Sequence, residues 1–169
     1  LVMLLGLVLQ HLQNALQTKN VVRAMHNAPA MFGIGMTVFY CYSIVPEVKR
    51  KLVTQLLGFT GKIVETRQEE MLNAVTAISG SGPAYFFYMA QQMISSAVAL
   101  GIEEDVAELM VKQTLLGAGV LLDKSDKTCA ELIKTVASKG GTTEAALNVF
   151  GQKEMPEIIA QALKSATDR

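Results

Sequence analysis

Three short stretches of small and polar residues could bind a ligand. The first, residues 25–29, places Asn27 directly after a predicted strand. Because ligands of open α/β sheets bind at the carboxyl ends of strands, Asn27 could hydrogen-bond a cofactor or a substrate amide. The alternative is an asparagine that caps the turn before Pro29. His26 has no carboxylate or second histidine at ligand spacing, and we interpret it as a surface or turn residue.

The second stretch, residues 78–85, reads Ile-Ser-Gly-Ser-Gly-Pro-Ala-Tyr. Its small residues let the backbone approach another surface closely, and Pro83 suits a first helical turn. The Gly80-x-Gly82 pair does not follow a predicted strand, and no third glycine completes a dinucleotide fingerprint. Composition alone therefore favours close helix packing over phosphate binding.

The third stretch, residues 136–143, reads Val-Ala-Ser-Lys-Gly-Gly-Thr-Thr and lies between two predicted helices. Two glycines free the backbone to curl, and Thr142 or Thr143 is expected to cap the next helix. Several amide hydrogens would then converge at a positive helix end, where a small carboxylate could bind. The alternative is a glycine that ends one helix followed by a threonine that caps the next.

The elements that position these stretches change in kind near residue 66. Up to that point the pattern predicts strands over 1–8, 21–25, 36–42 and 62–64, and helices over 9–17 and 46–58. After residue 68 it predicts helices over 68–77, 82–100, 103–123, 128–138, 142–151 and 153–167. We therefore predict an α/β domain over 1–66 followed by an all-α domain over 67–169.

Composition excludes several functional classes. The 169 residues are 50% hydrophobic and 18% charged, which is typical of a folded chain. Fifteen Lys+Arg balance fifteen Asp+Glu, so a nucleic-acid partner is not expected. The two cysteines and two histidines lack ligand spacing, so no metal site is expected, and this cysteine usage suits the cytoplasm.

Residues 71–102 contain no charged residue. The helical part, about 84–100, includes two glutamines and two serines and falls short of the roughly 20 apolar residues of a membrane span. We therefore expect no membrane association and interpret this stretch as a buried helix. Because a helix that is apolar on nearly every side needs neighbours all round, we expect a homodimer.

Residues 1–8 form an apolar run that is typical of a buried parallel strand. Such a strand has neighbours on both sides, so we expect the sequence to begin part-way through an α/β unit of a longer chain. The hydrophobic region of a signal peptide is the alternative, but the run lacks a basic flank and an Ala-x-Ala exit.

In order and spacing, Asn27-x-Pro29, residues 74–85 and residues 138–143 closely resemble the pyrroline-5-carboxylate reductase family. Members reduce the cyclic imine of pyrroline-5-carboxylate to L-proline with NADPH or NADH. The resemblance implies the end of a Rossmann-type nucleotide-binding domain followed by a helical dimerisation domain. It also implies a homodimer with interlocked helices and, in some members, larger rings built from such dimers.

The resemblance also implies roles for individual residues. Asn27 would lie near the nicotinamide, and Glu69 matches a substrate-contacting position that could stabilise the iminium charge. A solvated glutamate at a helix start is the alternative for Glu69. The Thr143 hydroxyl would reach the ring nitrogen as hydrogen-bond partner or proton relay, which makes it the catalytic candidate. The substrate carboxylate would be bound by a set of loop residues: Ser138, Gly140, Gly141, Thr142 and Thr143.

Some positions depart from the family's usual pattern. His26 and Ala28 replace the usual Pro or Thr and the usual hydroxyl residue, so we expect a looser or differently aimed turn at Asn27. Lys139 replaces a proline, which frees the loop and adds a positive charge. The glycine-rich turn that holds the cofactor pyrophosphate is not among these residues, so we expect the chain as printed to bind the dinucleotide poorly and to be inactive alone.

Two other functions compete with this interpretation. One is a non-catalytic dimerisation or binding fragment. The other is a hydroxyacid dehydrogenase, whose Gly-x-Gly-x-x-x-Lys helix would place a catalytic lysine at position 86. The residue there is Phe86, which cannot act as an acid or base.

Overall fold

The computed structural model describes residues 9–42 and 44–169, so the strand predicted over 1–8 lies outside the described residues. The first elements are α1 (Leu9–Leu16), β1 (Val22–His26), a 3-10 turn (Ala28–Phe32), β2 (Gly35–Cys41), α2 (Glu47–Gly58) and β3 (Gly61–Thr66). They are followed by α3 (Met71–Val75), a π-turn (Thr76–Gly80), α4 (Gly82–Ala99), α5 (Glu104–Lys124), α6 (Cys129–Val136), α7 (Thr142–Gln152) and α8 (Met155–Thr167). The predicted fold class, α/β followed by all-α, is confirmed.

The described strands form one sheet in the order β1-β2-β3. β1 pairs antiparallel with β2, whereas β2 and β3 are parallel and α2 connects them. The carboxyl end of β1 therefore lies at the edge where β2 and β3 begin. Cys41 and Thr66, which end those two strands, lie at the opposite edge.

Each face of the sheet packs against a different helical segment. On one face, a buried cluster joins the sheet to α2: Val22, Ala24, Phe39, Cys41, Val45 and Leu57. On the other face, Arg23 and Met25 of β1 contact the segment that contains α3 and the π-turn. Alternate residues of a strand point to opposite faces, so β1 is covered on both sides.

The helix predicted over 68–77 differs from the observed structure. A short α3 ends at Val75, and the π-turn follows, with the amide of Ser81 donating to the carbonyl of Thr76 over 2.8 Å. Leu72 and Ala77, five residues apart, are each 1% exposed. Burial of both side chains favours the wider turn over a regular α-helix.

The chain divides into two compact units, one holding the chain up to Tyr85 with Leu163–Arg169, and the other Phe86–Ala162. In the second unit, α5 contributes the buried residues Ala107 and Val111. The domain boundary at residue 66 stays a prediction. Across residues 9–42 and 44–169, no helix is both long enough and apolar enough to cross a bilayer.

Candidate functional site

Asn27 lies at the carboxyl end of β1, as predicted, and its side chain closes the turn into β2. The Oδ1 atom accepts a hydrogen bond from the amide of Met36 over 2.9 Å, and the Asn27 carbonyl accepts one from Ala30 over 3.0 Å. Gly33 ends the 3-10 turn in the left-handed region, with φ of 70°. The oxygen of the Asn27 side chain is thus used by the turn, and its Nδ2 group is the one that could donate to a ligand.

His26 lies apart from the Arg23 and Met25 side chains. It is exposed and pairs with Thr37 across the sheet, and strand alternation turns it toward the α2 face rather than the α3 face. Among the residues that the structure describes, no three His, Cys, Asp or Glu side chains group together as a metal site would require.

Glu69 forms an ion pair with Arg23 of β1. The Arg23 Nη1 and Glu69 Oε1 atoms are 3.2 Å apart, and the two side chains are 10% and 21% exposed. The Glu69 carbonyl also accepts the amide of Leu72 at the start of α3. Because its carboxylate is mostly covered and paired, the solvated glutamate considered as an alternative does not describe it.

The Gly80 region packs closely against β1, which confirms the packing favoured by its composition. A Cβ atom built on Gly80 would lie 2.1 Å from the Met25 Cε. The Tyr85 hydroxyl donates to the Ala77 carbonyl over 2.9 Å and links α4 to the π-turn. Sequence reasoning missed Arg23, Met25 and Tyr85. Of these only Arg23, a charge within an apolar strand, gave a readable signal.

The loop before α7 is a tight turn. Gly140 is in the left-handed region with φ of 74°, and the Gly141 amide donates to the Ser138 carbonyl over 3.0 Å. The predicted threonine cap is wrong, because Gly141 is the N-cap and Thr142 the first helical residue. A Cβ on Gly141 would lie 3.0 Å from the Ser138 carbonyl oxygen and would also push aside the Ser138 hydroxyl, so this close turn suits glycine.

A carboxylate already contacts this loop. The Glu144 Oε2 atom accepts the Gly140 amide over 2.7 Å. The first amides of a helix have no intrahelical acceptor and attract negative charge. Thr143 is half-buried at this helix start, whereas Ser138 and Thr142 are exposed. The loop therefore has the chemistry to hold a second carboxylate at its remaining amides.

The predicted site residues divide between the two compact units. Asn27 and Glu69 lie in the unit that ends at Tyr85, where Glu69 is tied to the strand that Asn27 follows. The loop residues 138–143 lie in the unit Phe86–Ala162.

A separate cleft of about 410 Å³ lies at the opposite edge of the sheet, lined by Tyr40, Cys41, Arg50, Glu65, Thr66 and Arg67. Arg50 pairs with Glu65 over 2.9 Å and donates to the Cys41 carbonyl over 3.1 Å, which braces α2 against β2 and β3. Burial raises the pKa of the Cys41 thiol, Glu65 raises it further and Arg50 opposes both. No predicted site residue lies there.

The fold is the end of a Rossmann-type α/β domain followed by a helical dimerisation domain. A family model described as pyrroline-5-carboxylate reductase dimerisation matches residues 69–169, more than half of the chain. The chain therefore belongs to the pyrroline-5-carboxylate reductase family. This match disfavours the hydroxyacid dehydrogenase alternative.

Individual relatives agree with the family match. A pyrroline-5-carboxylate reductase of Vibrio alginolyticus is 36% identical over 166 residues, which are 97% of this chain and 61% of the relative. The solved pyrroline-5-carboxylate reductase of Coxiella burnetii superimposes with a TM-score of 0.92 at 30% identity, over 98% of this chain and 62% of that one. The Plasmodium falciparum enzyme, solved with NADP bound, gives 0.86 at 26% identity, over 96% and 66%.

The chain thus spans about three fifths of the length of the curated relatives that it matches. Activity, substrate and partners of the complete relatives are therefore proposals for this chain.

Proposed function

We propose that this chain takes part in the reduction of pyrroline-5-carboxylate to L-proline, the last step of proline synthesis, with NADPH or NADH as hydride donor. The observation that supports the proposal is the loop before α7, where the Gly140 amide binds the chain's own Glu144 carboxylate over 2.7 Å and the first helical amides follow directly. Pyrroline-5-carboxylate has one carboxylate and one imine nitrogen, so this substrate suits a site that combines free amides with a hydroxyl.

Hydride attack on a C=N bond is easiest when the nitrogen is protonated, so the site must hold an anion and a ring cation together. In our proposal, the loop over 138–143 binds the carboxylate through the amides of Thr142 and Thr143. The Gly140 amide already donates to Glu144, and the Gly141 amide to the Ser138 carbonyl. The Thr143 hydroxyl hydrogen-bonds the ring nitrogen or relays its proton. Glu69 stabilises the iminium charge electrostatically, and its pairing with Arg23 keeps the carboxylate in one position.

The 169 residues could contact the nicotinamide end of the cofactor but include no motif for its pyrophosphate. The Asn27 Nδ2 group is suited to donate to the nicotinamide end, since its Oδ1 is used by the turn. The 169 residues do not include the glycine-rich strand-turn-helix motif that holds a pyrophosphate. A reduced nicotinamide, when bound, supplies the hydride, and the residues named above bind and orient the acceptor.

The helical unit is suited to pair with a second copy. α4 is apolar, yet Phe86, Phe87 and Tyr88 are more than 60% exposed in the single chain, as are Leu109 and Leu116 of α5. Exposed apolar surface of this kind marks interfaces. We propose a homodimer with interlocked helices, able to build larger rings, and a cytoplasmic location based on cysteine usage.

A non-catalytic dimerisation or binding fragment is the second candidate. The missing pyrophosphate motif favours it for the 169 residues taken alone. A fusion that joins this chain to the part of the Vibrio alginolyticus relative that it does not cover separates the two candidates. We expect the fusion to oxidise NADPH in the presence of pyrroline-5-carboxylate, and the chain alone to bind L-proline without turnover. Proline binding by both proteins with turnover by neither would favour the fragment.

Thr143→Ala in that fusion tests the central role. We expect kcat to fall by about 100-fold, since a positioned proton donor or acceptor contributes at least this much. The melting temperature should change little, because Thr143 is only half-buried. Thr143→Ser, which keeps the hydroxyl and the backbone amide at the same position, provides the matched control. An unchanged kcat in Thr143→Ala would contradict the assigned role.

A further inference from the structure

The hydroxyl of Tyr85 has no part in the proposed reaction, yet it makes a specific contact. It donates to the carbonyl of Ala77 over 2.9 Å. Ala77 is 1% exposed and lies in the π-turn, between α3 and α4. This bond therefore joins the first turn of α4 to the middle of the π-turn.

The π-turn decides which residues of this segment face inward. Leu72, Ala77 and Gly82 are all buried and follow one another at intervals of five. In an α-helix, residues five apart point about 140° away from each other, given 3.6 residues per turn. Hydrogen bonds from residue i to i+5 widen the turn and reduce this angle. A return to α-helical register would therefore rotate Ala77 away from its buried position.

The two ends of the segment contact the same face of β1. Glu69 pairs with Arg23, and Gly80 abuts Met25, two residues further along the strand. These two points of the strand are roughly 7 Å apart, at about 3.4 Å per residue. Because the segment connects the two contacts, a change in its number of residues per turn would move Glu69 relative to Gly80.

We propose that Tyr85 is a positioning residue, whose hydroxyl holds the π-turn in register and thereby fixes the Glu69 carboxylate against β1. The statement that the Glu69 carboxylate faces the substrate rests on the proposed function. The effect of Tyr85 on the register of the π-turn does not depend on that function.

The test is the Tyr85→Phe substitution in the 169-residue chain; this substitution removes one oxygen atom. Tyr88→Phe is the matched control, since Tyr88 is 69% exposed on the same helix. Three quantities are measured: hydrogen exchange of the Ser81 amide, the NMR shift of the Met25 ε-methyl group, and the dissociation constant of L-proline. We expect roughly fivefold faster exchange, a displaced methyl resonance and roughly fivefold weaker proline binding, the size of effect of one lost hydrogen bond.

Hydrogen exchange of the Val111 amide distinguishes a local effect from a general loss of stability. Val111 is buried in the other unit, so its exchange should not change. Unchanged Ser81 exchange and an unchanged Met25 resonance would overturn the proposal, as would altered register with unaltered proline affinity. If the native chain does not bind proline, the substrate part of the proposed function fails. The Ser81 exchange and the Met25 resonance then show by themselves whether Tyr85 holds the π-turn in register.

Gly80→Ala is a second variant if Tyr85→Phe does not fold. Its added Cβ would displace the Met25 methyl group and leave the Tyr85 hydroxyl in place. Because the end of the Met25 side chain is flexible, Ser81 exchange is measured as well. Faster Ser81 exchange together with weaker proline binding would support a coupling between the register and Glu69, and either result without the other, or neither, would overturn it.

Discussion

Removal of one partner of the ion pair between Arg23 and Glu69 should lower the stability of the chain, and the size of the loss can be worked from the structure. At 3.2 Å and an effective dielectric constant of about 20, two unit charges attract by about 5 kcal/mol. Desolvation offsets much of this, because the side chains are only 10% and 21% exposed. Removal of the guanidinium alone leaves a mostly covered carboxylate without this partner. Arg23→Met, which keeps the apolar stem, should therefore cost about 3 kcal/mol.

Glu69→Gln should cost less, about 1–2 kcal/mol, because the amide oxygen can still accept from Arg23. The double variant should cost at least about 1 kcal/mol less than the sum of the single variants, since the two residues share one interaction. Urea unfolding at fixed protein concentration measures all three. Lys112→Met is the control. It breaks the ion pair between Lys112 and Glu108, whose side chains are 69% and 50% exposed, and should cost under about 1 kcal/mol.

Additive single variants, or a cost of Arg23→Met no larger than that of Lys112→Met, would refute the argument that this pair is buried and coupled. The same variants address function when proline binding is measured. If Glu69 contacts the substrate, Glu69→Gln should weaken proline binding by more than its small stability cost suggests.

Three further predictions follow from the loop, the thiols and the helical surface. Gly141→Ala should weaken proline binding, because its Cβ would lie 3.0 Å from the Ser138 carbonyl oxygen and would displace the Ser138 hydroxyl. Gly151→Ala meets open space and should stabilise α7 by about 0.4–1 kcal/mol; calorimetry and melting curves measure both effects. Cys129 is exposed and should react with a thiol reagent in the native protein. Cys41 is buried and its pKa is raised, so it should react only after unfolding; fast reaction of both thiols would contradict this. Sedimentation at micromolar concentration should show a dimer, and a stable monomer would count against the interface proposed for α4.

Local patterns were sufficient to predict most of the helices and strands. The strand predicted over 36–42 is β2 at Gly35–Cys41, and the helix predicted over 103–123 is α5 at Glu104–Lys124. Both predictions depend on the spacing of apolar residues along the chain, which can be read directly from the sequence. The direction of a strand cannot be read from such spacing. The antiparallel pairing of β1 with β2 is instead indicated by the short connection between the two strands, because parallel strands need a crossover of a dozen or more residues.

The candidate site could be predicted in part, for a similar reason. Glycine and proline indicated where the chain bends, so the loop over 138–143 and the turn after Asn27 are where they were expected. A charged residue within the apolar strand over 21–25 could have indicated a buried partner for Arg23. That partner, Glu69, is 46 residues away, and only the folded sheet brings the two together.

The polar side chains at both turns bind the chain's own backbone, and this limits what a ligand can use. Asn27 gives its oxygen to Met36, and Glu144 occupies the amide of Gly140. The family resemblance implied that the Gly140 amide binds the substrate, but in the structure this amide donates to Glu144. A substrate carboxylate must either displace Glu144 or bind the helix-start amides after Gly141. The second route avoids breaking a hydrogen bond to a charged group, which costs about 1.5–3 kcal/mol, and it uses the first amides of α7, at Thr142 and Thr143.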